Sequence, residues 1–180
     1  MTQRTRPRLA TVWLDGCSGC HMSLLDMDER LLEVGERADL VYSPLVDTKE
    51  FPRQVDITLV EGAVSSEDDL RRIVEVRERT TTLVSLGDCA VTANVPGMRN
   101  PIGEAPLLQR AYVENVTINP GIPDVVVPRL LRRSRPVHTV VDVDVFLPGC
   151  PPSADLIYYV LDELLSGRTP DTAGITHFGA

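Results

Sequence analysis

Leu9-Ala10-Thr11-Val12-Trp13-Leu14-Asp15-Gly16-Cys17-Ser18-Gly19-Cys20 is the stretch on which the fold turns. Its first six residues are apolar or β-branched and read as a buried strand. Two glycines and two cysteines then turn the chain. Met22 to Glu36 follows as a helix, with Leu24, Leu25, Met27, Leu31 and Leu32 towards a core. The same succession recurs downstream. Asp39 to Tyr42 is a short second strand, and Val55 to Val60 is a third. Ser65 or Ser66 caps the next helix, where Glu67, Asp68 and Asp69 suit the dipole and Leu70, Ile73 and Val74 keep helical spacing. Thr81 to Leu86 is a fourth strand, and Val140 to Leu147 contains a fifth. A last helix runs from about Ser153 to Ser166 on the stripe Ile157, Val160, Leu161 and Leu164, with Gly167 as its stop. This alternation predicts an α/β protein with a flavodoxin-like, mostly parallel sheet and helices on both faces.

Between Ala90 and Pro136 the pattern weakens and prolines recur. A loop of that length inside a compact domain is usually functional. No repeat or second domain is visible, so residues 1–180 are expected to form a single domain.

The composition narrows the function. Hydrophobic residues make up 43% and charged residues 24%, the balance of a globular chain. A net charge of -8 argues against nucleic acid and against docking on an anionic bilayer. No run approaches the ~20 apolar residues of a membrane span. The basic stretch Met1 to Arg8 has no apolar signal core and no paired arginines, so a cytoplasmic protein is expected. Four cysteines in such a chain favour metal or catalysis over disulfides.

Each cysteine group follows a predicted strand: Cys17 and Cys20 the first, Cys89 the fourth, Cys150 the fifth. The carboxyl ends of parallel strands share one edge, where ligands bind. Three distant turns can therefore meet there. Glycines beside each cysteine allow close approach to a bulky group, and backbone N–H groups at turns favour an anionic one. A 4Fe–4S cluster on Cys17, Cys20, Cys89 and Cys150, at the carboxyl edge of the strands, is the expected ligand set. A thioredoxin-like pair, a zinc site in a four-cysteine binding module, and four inert buried cysteines are the alternatives.

Several segments resemble the small subunit of nickel–iron hydrogenases, on the cytoplasmic, NAD-reducing (bidirectional) branch. They are Trp13 to Ser23, Val60-Glu61-Gly62-Ala63-Val64, Gly87-Asp88-Cys89-Ala90 running on to Val95 through Asn100, and Leu147-Pro148-Gly149-Cys150-Pro151-Pro152. The resemblance implies that the four cysteines ligate one proximal 4Fe–4S cluster. It implies a nickel–iron centre in a separate large subunit, and FMN with further clusters in diaphorase subunits that reduce NAD. The chain would then be an oxidoreductase subunit with no catalysis of its own. Longer small subunits continue into a second cluster module. With no fifth cysteine, this chain is expected to lack one. The cluster subunit of a complex I-like quinone reductase is the alternative, but it carries adjacent cysteines where Ser18 and Gly19 here separate Cys17 from Cys20.

Other residues carry weaker expectations. His21 either donates to a cluster sulfur or begins the helix at a partner interface. Glu61 ends a strand on the ligand edge, where a solvated or salt-bridged carboxylate is the default and a proton relay or a partner contact the functional reading. Asp15 and Asp88 read as caps for nearby turns. His177 reads as an ordinary tail residue. Arg129, Arg132, Arg133 and Arg135 read as a solvated basic face that can dock an acidic partner.

Overall fold

The computed structural model describes residues 6–179, so most of the basic amino-terminal stretch lies outside it. The elements in chain order are β1 (Arg8–Trp13), α1 (Gly19–Leu25), α2 (Arg30–Arg37), β2 (Asp39–Tyr42), β3 (Val55–Glu61), β4 (Val64–Ser66), α3 (Glu67–Arg79) and β5 (Thr80–Leu86). After them come α4 (Gly87–Thr92), α5 (Asn94–Gly97), α6 (Glu104–Gln109), β6 (Leu130–Arg135), β7 (Val145–Leu147) and α7 (Ala154–Leu165).

Five strands form one sheet in the order β2-β1-β3-β5-β7, every neighbouring pair parallel. That is the flavodoxin-like order, and its strands run apolar on both sides because helices cover both faces. Alternate residues of each strand divide between two cores. On one side Leu9, Ile57, Leu59, Val84, Leu86 and Leu147 meet α1, α2 and α7 through Leu24, Met27, Val34, Ile157, Val160 and Leu161. On the other, Ala10, Val12, Val60 and Leu83 meet α3 through Ile73 and Val76.

Three local readings are corrected. The helix expected over Met22 to Glu36 is two helices. Asp28 takes a left-handed conformation at φ 50° and breaks the run. The break turns Met27 into the core while Leu25 and Leu32 face solvent, so the apolar count over-reads the buried face. In α3 the buried pair is Ile73 and Val76, and Val74 is exposed. Its start is as expected: Ser66 caps it in a reciprocal box with Asp69.

The segment read as a long loop is organised. It holds α4, α5, α6 and β6, and β6 pairs antiparallel with β4 outside the main sheet. Asn100 anchors it by exchanging two hydrogen bonds with the backbone of Ser134, as a strand would, at 2.9 and 2.8 Å. Arg99 donates to the carbonyls of Ser65 and Leu131. Side-chain-to-backbone pairing has no sequence period, which is why the pattern fades there. Among the described residues no helix is long and apolar enough to cross a membrane.

Candidate metal centre at the carboxyl edge of the sheet

The strand ends of β1, β5 and β7 deliver the cysteines to one edge. Cys17 sits in the turn after β1, and Cys20 is buried in the first turn of α1. Ser18 between them is left-handed, φ 65°, and the Gly19 N–H points 3.4 Å from Cys17 Sγ. Cys89 lies buried in α4, which starts as β5 ends. Cys150 follows β7, with Asn94 Nδ2 3.6 Å from its sulfur. All four thiols are free.

Gly87 is where the three turns touch. Its φ is +80°, and a Cβ there would stand 2.2 Å from Cys20 Sγ, 3.5 Å from the Gly149 oxygen and 3.7 Å from Pro152 Cδ. Only a residue without a side chain lets the Cys20 sulfur approach the backbone this closely. Ser23 ties the first turn to the third by donating to the Pro152 carbonyl at 2.5 Å.

The electrostatics put the thiols in one locale. Burial pushes the Cys20 thiol far above its ordinary value, and the carboxylate of Glu61 and the sulfurs of Cys89, Cys17 and Cys150 push it further. Burial likewise raises the Cys89 thiol; a backbone hydrogen bond from Val95 opposes this, and Cys17, Cys150 and Glu61 add to it. Such a set repels negative charge until something cationic neutralises it. Yet among the described residues no three His, Cys, Asp or Glu side chains close on one point as a single ion requires. A zinc ion holds sulfur at about 2.3 Å. Four free thiols, with the Gly19 N–H and Asn94 Nδ2 beside two of the sulfurs, are the donor chemistry that an iron–sulfur cluster takes.

Of the flanking residues, His21 departs from the sequence reading. His21 is buried, with Nδ1 2.5 Å from Glu61 Oε2 and Nε2 3.0 Å from Thr11 Oγ1. Both ring nitrogens are thus engaged away from sulfur. Glu61 is buried against the His21 ring, and its Oε2 also accepts the His21 backbone N–H at 2.9 Å. Thr11 passes the chain on to Ser43 at 2.9 Å. Neither Thr11 nor Ser43 is signalled in the sequence, because their partners lie on other elements, tens of residues away in Ser43's case. Asp15 contributes backbone bonds to Ala63, and Asp88 is buried and bridges two turns. His177, Arg129, Arg132 and Arg133 are exposed. Glu61→Ala leaves a buried histidine and an N–H without their acceptor. It is expected to cost about 3–5 kcal/mol, read as a fall in the urea midpoint; a loss below about 1 kcal/mol would return Glu61 to the class of solvated carboxylates.

Residues 17–164 match the family described as the NADH ubiquinone oxidoreductase 20 kDa subunit. The chain is 44% identical over 169 residues to the NAD-reducing hydrogenase HoxS subunit delta of Cupriavidus necator, covering 91% of this chain and 81% of that one. It is 40% identical over 168 residues to an F420-non-reducing hydrogenase subunit of Methanothermobacter marburgensis, covering 89% of this chain and about half, 54%, of that one. Among solved structures, a chain of the NAD+-reducing [NiFe]-hydrogenase in the H2-reduced state superposes with a TM-score of 0.90 at 38% identity, covering 96% of this chain and 98% of that one. The relatives are hydrogenase subunits. The chain therefore belongs to the 20 kDa subunit family of NADH:ubiquinone oxidoreductase and, within it, to the small subunits of NAD-reducing nickel–iron hydrogenases.

Proposed function

We propose that this chain relays electrons one at a time through a single 4Fe–4S cluster held by Cys17, Cys20, Cys89 and Cys150. The supporting observation is the meeting of three cysteine-bearing turns at Gly87, against which Cys20 Sγ, Gly149 and Pro152 pack. When bound, the cluster supplies a one-electron couple whose potential follows its ligands, its hydrogen bonds and its burial. The chain's own residues do the remaining work. The four thiols release their protons to become ligands, so loading is proton-linked. Gly19 and Asn94 offer N–H groups to sulfur, and the buried Glu61–His21 pair fixes the start of α1.

The electrons come from a nickel–iron centre in a large subunit and leave towards iron–sulfur and flavin (FMN) diaphorase subunits that reduce NAD. Trp13, Met22, Val95 and Met98 are exposed in the segments flanking the thiols, as a face covered by a partner requires. The reading includes a cytoplasmic location and one cluster domain over residues 1–180.

Metal analysis of the purified chain tests this. Iron with acid-labile sulfide and a brown colour are expected. Colourless protein carrying one zinc would make it a zinc-stabilised binding module instead. Co-purification with a hydrogenase large subunit, giving hydrogen-dependent NAD reduction once the diaphorase is added, tests the assembly.

A further inference from the structure

Asp88 lies between two cysteine turns and a third segment, the carboxyl-terminal tail. It is buried, 5% exposed. Its Oδ1 accepts the Gly149 N–H at 2.7 Å, and its own N–H donates to the Gly149 carbonyl at 2.9 Å. This reciprocal pair splints the turn of Cys89 to the turn of Cys150. Its Oδ2 accepts the N–H of Gly179, near the far end of the tail, at 2.8 Å. The Cys150 N–H in turn donates to the Gly179 carbonyl at 2.8 Å. The tail after α7 is thus brought back to the sheet edge and bonded to the backbone of a cysteine. An open hollow of about 610 Å³ beside Cys150 is walled by Asp88, Thr92, Asn94, Phe178 and Gly179.

We propose that Asp88 is a positioning residue that straps the carboxyl-terminal tail over the Cys150 side of the thiol set, and that the strapped tail shields that side from water and from small reagents. The proposal rests on the four-thiol cluster reading above. Both carboxylate oxygens accept from backbone N–H groups, one on the Cys150 turn and one on the tail. An asparagine keeps one acceptor and turns the other into a donor, which faces an N–H it cannot bond. Bonds to a charged acceptor are about twice as strong as neutral ones, so one substitution frees the tail. More water around an anionic cluster stabilises its more negative, reduced form, and the potential rises.

Four forms separate these roles: the natural chain, Asp88→Asn, a chain lacking residues 175–180, and the two changes combined. The metal-free proteins are digested with trypsin, which reports the tail through the Arg168–Thr169 bond. The iron-loaded proteins are exposed to excess bipyridyl after reduction, and their midpoint potentials are titrated. Cleavage in Asp88→Asn is expected to be roughly tenfold faster than in the natural chain. Iron release is expected to quicken by a similar factor in both single changes, the potential to move positive in both, and the combined change to add nothing to the deletion in iron release. Release and potential unchanged by the deletion would overturn the strap, as would effects of the two changes that multiply. Trypsin sensitivity unchanged in Asp88→Asn would overturn the tether. A natural chain that takes up no iron would instead sink the cluster reading, and the digestion would still decide whether Asp88 holds the tail.

Discussion

Cys89→Ser and Cys150→Ser are each expected to lose the proposed cluster and, with it, hydrogen-dependent NAD reduction by the assembled complex. The expected drop is more than about 100-fold, since even outer-shell changes at metal sites cost 10–100-fold in affinity or activity. The reason is geometric as well as chemical. Cys89 and Cys150 each bring the only sulfur of their turn. Serine offers a harder oxygen in place of a soft thiolate. Reduction of artificial dyes directly at the large subunit should survive in part, because that electron path bypasses this chain. Full hydrogen-to-NAD activity in either variant would remove that cysteine from the ligand set.

Gly87→Ala is expected to be nearly as damaging, without touching a sulfur. The new methyl carbon stands 2.2 Å from Cys20 Sγ, where carbon contacts need about 3.5–4.0 Å. Left-handed backbone at φ +80° adds about 1–2 kcal/mol for a residue with a Cβ. Either Cys20 moves or the turn after β5 does, and both displace a thiol. Loss of iron together with at least about 2 kcal/mol of stability is expected. Gly35 supplies the control. It is an exposed glycine inside α2, with nothing within 4 Å of a built Cβ. Gly35→Ala should stabilise the chain by about 0.5–1 kcal/mol and leave the iron in place. A Gly87→Ala protein with full iron content would show that this close approach is not required.

Much of this arrangement is legible from residue order. The strand ends carry the decision: Trp13-Leu14-Asp15-Gly16, Leu86-Gly87 and Leu147-Pro148-Gly149 each close an apolar run with a turn, and a parallel sheet sends all such turns to one side. That makes the meeting of the turns predictable, as distinct from what they hold. Features that depend on side chains reaching across the fold stay hidden. The Thr11–His21–Glu61 chain joins positions up to fifty residues apart with no spacing rule. The break at Asp28 turns on one left-handed residue that no hydrophobic count detects. The β4–β6 ribbon escapes notice because Arg132 and Arg133 make its second strand read as a solvated charge run. Asp88 reads locally as a cap, and its partners at Gly149 and Gly179 are visible only once the sheet is built.

The sheet order β2-β1-β3-β5-β7 puts the last cysteine turn on the final strand to be made. During synthesis, three thiols leave the ribosome well ahead of the fourth, with about sixty residues still to come, or roughly 3–12 seconds of translation. In that interval the half-made nest is open to any stray thiophilic ion. On the proposed ligand set, iron that arrives before residue 150 has emerged meets three of its four thiols.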